Sequence, residues 1–209
     1  IIVRQSVDHF RRALVLCEAL DIAEFSIHAG FRVSFETSDL GGAKKVRKVL
    51  SYEQATQNFE KNFNECATFA AEKQIEIYIE NNVFSQRNSE LFEGINPFLL
   101  TEYSEVENIN FYADKNILID IAHLRVSCTM LGLDFDQQLY DFIKLSDYIH
   151  ISDNDGLEDQ NKPLDKNSRL YHQLKNIKDD LKDKKITLEI YSSTDNIRES
   201  HDLLSTLIS

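Results

Sequence analysis

Five short apolar stretches of this chain each carry one acid or histidine out of phase with their aliphatic residues. They are Phe25-Ser26-Ile27-His28, Ile77-Tyr78-Ile79-Glu80, Leu118-Ile119-Asp120-Ile121, Tyr148-Ile149-His150-Ile151 and Thr187-Leu188-Glu189-Ile190. Glu80, Asp120, His150 and Glu189 together offer three carboxylates and one imidazole, a hard-leaning set suited to Mn²⁺, Mg²⁺ or Co²⁺ and compatible with Zn²⁺. Carboxylates gathered at one point repel one another, and a divalent cation removes that penalty. Any one of these residues alone reads as an ordinary polar strand end; five at the same place on successive stretches point to one metal site. His28 precedes Ala29-Gly30, where glycine permits a tight exit, and is expected to contact substrate. His123, three residues beyond Asp120, is a second metal ligand, a substrate contact or a loop histidine. His9, His172 and His201 fall in helical patterns and read as surface residues.

Positioning those residues requires strands, because side chains on a strand alternate between its faces. Ile27, Ile79, Ile119, Ile149 and Leu188 then point one way, and His28, Glu80, Asp120, His150 and Glu189 the other. The segments between them read as helices. Ser6 caps a run with Val7, Phe10, Leu14, Cys17 and Leu20 at helical spacing, and further helices are expected over 52–73, 97–109, 136–145, 169–184 and from 194 onward. Strands are expected over 24–28, 75–80, 116–121, 148–152 and 186–190, with Gly41-Gly42 and the basic run 44–48 in a long connection and a polar loop at 153–168. Strands alternating with helices make a parallel α/β sheet: a TIM-type barrel with aliphatic residues under the helices and polar ends at its C-terminal mouth. A closed barrel of this kind takes ~250 residues and eight strands. Here five strands are legible, with one irregular strand at most after His150. The first two βα units are therefore expected to be missing from this sequence, leaving 24–28 and 186–190 as sheet edges. Roughly 50 to 80 preceding residues, or another chain, are expected to supply them.

At 209 residues and 42% hydrophobic composition the chain reads as one domain, 1–209, with a substantial core. Its formal net charge of −12 disfavours nucleic acid as a partner. No stretch reaches the ~18 to 20 apolar residues of a membrane span, and no secretion signal is visible, so a soluble cytoplasmic protein is expected. Cys17, Cys66 and Cys128 are odd in number and widely spaced, which suggests buried free thiols.

In order and spacing, His28-Ala29-Gly30, Glu80-Asn81, Asp120-Ile121-Ala122-His123, His150-Ile151-Ser152-Asp153 and Glu189 resemble the strand-end signatures of the xylose isomerase-like TIM barrels. That superfamily contains sugar and sugar-phosphate isomerases and epimerases, and zinc endonucleases acting at abasic sites in DNA. The epimerase pattern implies that Glu80, Asp120, His150 and Glu189 hold one divalent metal, and that Glu80 and Glu189 exchange protons with the substrate. Asn81 and Arg32 join His28 and His123 as expected substrate contacts. The endonuclease pattern implies His28 and His123 as further ligands, with an Asp-x-His after His150. Here that triplet is Asp159-Gln160-Asn161, and a neutral amide is a poor zinc ligand. An Arg shortly after the ligand histidine is usual in the epimerases; Gly156 and Leu157 stand there instead. The loop Asp153-Asn154-Asp155-Gly156 lacks the bidentate Glu of a calcium loop and reads as a turn with Gly156 at positive φ.

The reading is thus a metal-dependent isomerase or epimerase of a sugar or sugar phosphate. Proton abstraction beside a carbonyl gives an enediolate, whose charge a chelating metal stabilises. Arg32, Arg87 and Lys162 lie in mouth loops where a phosphate can be held. The alternatives are a zinc phosphodiesterase of the endonuclease type and a non-catalytic barrel subunit; a homo-oligomer is compatible with each.

Overall fold

Alternation of apolar and polar residues produces strands where it was expected: β1 (Glu24–His28), β2 (Glu76–Glu80), β3 (Asn116–Asp120), β4 (Tyr148–Ile151) and β5 (Lys185–Leu188). The computed structural model describes residues 2–33 and 49–209; Gly41-Gly42 and the basic run 44–48 lie outside them. All four strand pairings are parallel and follow chain order, so β1 and β5 are the edges among the described residues. The register is staggered: Glu80 is level with Leu118, Asp120 with His150, and His150 with Thr187. Such stagger is how a parallel sheet curls into a barrel wall. The curl brings the first residue of β5, Lys185, to the carboxylate of Glu24 at the start of β1 and within 3.3 Å of the Tyr78 hydroxyl. The result is a half-barrel.

Helices cover the convex side. Among them are α1 (Ile2–Ala19), which buries Val7, Phe10, Leu14 and Cys17, and α2 (Tyr52–Glu72), capped by Ser51 and burying Phe63, Cys66 and Ala70. Ile79, Ile119 and Ile149, on the three inner strands, are fully buried beneath the helices, while Ile27 and Leu188, on the edges, are half-buried. On the concave side Tyr78 and Tyr148 meet edge to face at 5.3 Å and floor the space below the polar strand ends. Gly30 is required by close approach: a Cβ there would stand 2.9 Å from Phe59 of α2.

Elsewhere the elements differ from the sequence reading. The expected helix over 97–109 is only α4 (Ser104–Asn108) with a 3-10 turn at Asn110–Tyr112. The expected helix over 169–184 is broken into α7 (Arg169–Asn176) and α8 (Lys178–Leu181). Two helices were not foreseen: α3 (Gln86–Leu91), opened by a Ser85–Asn88 capping box, and α5 (Ile121–Leu131), closed by Gly132 at φ 69. Helices α6 (Phe135–Leu145) and α9 (Thr194–Ile208) lie where expected. The irregular strand after His150 is a single antiparallel bridge between Asp153 and Lys162. Cys17, Cys66 and Cys128 are buried free thiols.

Candidate metal centre

The ends of β2, β3 and β4 and the first residue beyond β5 bring Glu80, Asp120, His150 and Glu189 together. One donor atom from each lies within 4.8 Å of the others. His150 Nδ1 stands 3.3 Å from Glu80 Oε1 and 3.0 Å from Glu189 Oε2. Asp120 is fully buried and divides its oxygens: Oδ1 accepts the His123 backbone N–H at 2.8 Å and so caps α5, while Oδ2 has no hydrogen-bond partner. A buried carboxylate oxygen left unpaired is costly. Its orphaned state, and the hard oxygen-rich donor set around it, fit a divalent cation.

Without a cation, the imidazoles carry the balancing charge. Burial opposes the His150 imidazolium, yet hydrogen bonds to Glu189 and Glu80 outweigh it and raise its pKa to about 10. The His150 hydrogen bond holds Glu189 down at about 2. Burial disfavours the Glu80 carboxylate, but its His150 hydrogen bond and the nearby imidazoles leave its pKa lowered. Asp120 is pushed up to about 6 by burial.

His28 stands level with Glu80 at the end of β1, with its ring 5.5 Å from that of His123. The two histidines and Glu80 form a second group with donor atoms within 4.8 Å, so Glu80 belongs to both. His28 has a lowered pKa, because desolvation exceeds the pull of Glu80. His123 is buried in the first turn of α5 rather than in a loop, with Nδ1 3.1 Å from Asn81 O and Nε2 3.2 Å from Asp159 Oδ2. Burial opposes its charged form, but Asp120 and Asp159 raise its pKa to about 10.

Two expected substrate contacts are engaged elsewhere. Asn81 is fully buried, and both ends of its amide bond the Asp120 backbone. Arg32 donates to Leu50 O and Asn96 O and lies 5.0 Å over the Tyr52 ring, bonded to no member of the cluster among the described residues. Arg87 and Lys162 are exposed, as are His9, His172 and His201. In the loop after β4, Gly156 takes φ +83 as expected, and Asp155 Oδ1 accepts from Leu157 and Glu158 N–H groups. Arg125 of α5 holds Asp153 at 2.9 Å, and Glu158 docks on the α3 N-terminus through the Arg87 N–H. Asn161, at the place of the absent third histidine, is structural: its carbonyl receives the Tyr191 N–H at 3.0 Å. Sequence reasoning missed Tyr191, whose hydroxyl donates to Glu189 Oε1 at 3.1 Å while its side chain remains 76% exposed at the mouth. Its parity with Glu189 was the available signal.

Solved structures with this fold include a D-tagatose 3-epimerase-like protein, 16% identical, TM-score 0.67, with 98% of this chain covering 69% of that one. A D-psicose 3-epimerase from Clostridium cellulolyticum, solved with D-tagatose, is 9% identical at TM-score 0.62 (99% and 71% covered). A Thermus thermophilus protein from crystals soaked with zinc chloride is 16% identical at TM-score 0.57 (95% and 66% covered). No curated protein matches the chain by sequence. A family model spans residues 2–207, nearly the whole half-barrel and every member of the cluster: the chain belongs to the xylose isomerase-like TIM barrel family.

Proposed function

We propose that this protein is a divalent-metal-dependent isomerase or epimerase of a sugar or sugar phosphate. The observation that carries the reading is the convergence of Glu80, Asp120, His150 and Glu189 with one unpartnered buried carboxylate oxygen. The epimerases among its structural neighbours support it. Glu80, Asp120, His150 and Glu189 would hold the cation, which when bound supplies Lewis-acid polarisation of substrate oxygens. Mn²⁺, Mg²⁺ and Co²⁺ suit the donor set, and Zn²⁺ is compatible with it.

The remaining work falls to the protein's own groups. One of the two glutamates removes a proton from carbon beside the carbonyl and the other returns it, giving the epimer or isomer. The hydrogen bond from His150 keeps the Glu189 carboxylate ionised in the absence of metal. Its Oε1 faces the exposed Tyr191 hydroxyl at the open side, where substrate enters. His28, exposed at the end of β1, is assigned to a substrate hydroxyl, while the expected contact His123 is buried with both ring nitrogens engaged by Asn81 and Asp159. The three free cysteines suit a reducing cytoplasmic setting.

The test is incubation of ketoses and aldoses, with and without phosphate, in D₂O with Mn²⁺. Solvent deuterium should enter the carbon beside the carbonyl of at least one sugar. Bound metal with no exchange on any of them ends the proposal. A zinc phosphodiesterase is the second reading, favoured by the His28–Glu80–His123 group that shares Glu80 with the first. It predicts two or more zinc ions per chain and cleavage of a phosphodiester, and the net charge of −12 weighs against a nucleic-acid substrate.

A further inference from the structure

We infer that Asn81 is a positioning residue for the metal centre, through a carboxamide that stands in for strand backbone where β2 stops. The inference rests on the proposed metal-dependent reading. The β2–β3 ladder closes at Glu80↔Leu118, and Asp120 lies two residues beyond that pair. On its other side Asp120 is held in register with His150. Toward β2, its peptide N–H and C=O would have no partner. The Asn81 side chain supplies both: Oδ1 accepts from Asp120 N at 2.6 Å and Nδ2 donates to Asp120 O at 3.1 Å. A carboxamide is the one side-chain group with the donor and acceptor of a peptide, and Asn carries it on the shortest stem. The Asn81 main-chain carbonyl adds a third contact, to His123 Nδ1 at 3.1 Å.

Three bonds from one residue thus tie the end of β2, which presents Glu80, to the turn 120–123. Glu80 and Asp120 are the two cluster members whose side chains are most buried, so their separation is set by this clamp and not by solvent-side adjustment. Full burial leaves Asn81 no surface with which to touch substrate. Its neighbour provides a control. Asn82 is also buried and donates to Ala29 O, Gly30 O and Leu99 O, bonds that organise loops without reaching the four-residue cluster.

The test is Mn²⁺ titration of the full chain, followed by the electron paramagnetic resonance of free Mn²⁺, with melting curves taken in the absence of metal. Asn81→Ala should weaken Mn²⁺ binding by about 10- to 100-fold, the usual consequence of losing a residue that orients ligands. Asn82→Ala should lower the melting temperature at least as much while leaving Mn²⁺ affinity unchanged. Asn81→Ser and Asn82→Ser, which each retain one hydrogen-bonding group, carry the comparison if the alanine variants do not fold. Equal affinity in wild type and the Asn81 variant overturns the inference alone, as does equal loss in both asparagine variants. Failure of both Asn81 variants to fold overturns it too, by making the residue one the fold needs. Absence of Mn²⁺ binding in wild type removes the metal-dependent reading and this inference together.

Discussion

His150 Nδ1 sits between two glutamate oxygens, so without metal the centre is held by a proton shared among three side chains. A cation must displace that proton. Because the His150 pKa stands at about 10 and Glu189 is already ionised above about 2, a cation bound as proposed would replace one proton through the neutral range. Mn²⁺ affinity should rise by about tenfold per pH unit between pH 7 and 9. It should rise more steeply below about 6, where Asp120 also binds a proton. The sign follows from competition: higher pH removes the competitor. A flat or falling affinity over pH 7 to 9 contradicts the arrangement. Glu189→Gln keeps the side-chain volume but removes one of the two carboxylates proposed to carry the proton and to hold the cation, so deuterium exchange into substrate should vanish with the fold retained. Exposed His172→Ala should change neither. The cluster was legible in the sequence because parity on a strand fixes which face a residue occupies. Asn81 was misleading for the same reason: its neighbour Glu80 marks the site, but only the folded chain reveals that the amide turns sideways to Asp120.

Asp120 serves two elements at once, ending β3 and capping α5. The two roles separate by substitution. Asp120→Asn keeps an oxygen that can accept the His123 N–H and removes a buried charge; metal binding should fall sharply while metal-free stability is held or improved. Asp120→Ala should lose both, with a further cost of about 1 kcal/mol for the missing cap. Equal stability of the two variants in urea would mean the cap contributes nothing. Helix α5 itself was invisible to pattern reading, since Ile121, Ala122, His123, Leu124, Val126, Ser127 and Cys128 are all buried. A helix enclosed on nearly every side has no polar stripe, and periodicity then has nothing to report. Amphipathic α2, by contrast, lies almost where the pattern puts it, whereas α1 begins at Ile2, so Ser6 sits inside the helix and is not its cap: apolar spacing marks the buried face but not where the first turn starts. The broken helices at 97–109 and 169–184 escaped because short turns reuse the same apolar spacing as a continuous helix.

At the scale of the whole molecule, two features compete to explain why the edges of a five-stranded sheet approach each other. One is the Lys185–Glu24 ion pair that joins the first residue of β5 to the first of β1. The other is the aliphatic layer of Ile79, Ile119 and Ile149 beneath the helices, each fully buried. Their magnitudes differ. An ion pair whose partners keep 47% and 35% of their side-chain surface exposed contributes up to about 1 kcal/mol and weakens with salt. Truncating a buried isoleucine to alanine costs about 2 to 5 kcal/mol, since the cavity left behind adds to the lost transfer energy. The staggered register, set by which residues face the helices, therefore holds the curl, and the ion pair follows from it. Ile149→Ala should lower the urea midpoint several times more than Lys185→Met, and raising the salt concentration should erase most of the Lys185→Met difference while leaving that of Ile149→Ala. If Lys185→Met proves as damaging as Ile149→Ala at every salt concentration, the edges are held by charge, and the mouth where Glu80, Asp120, His150 and Glu189 meet depends on an ion pair at the opposite end of the strands.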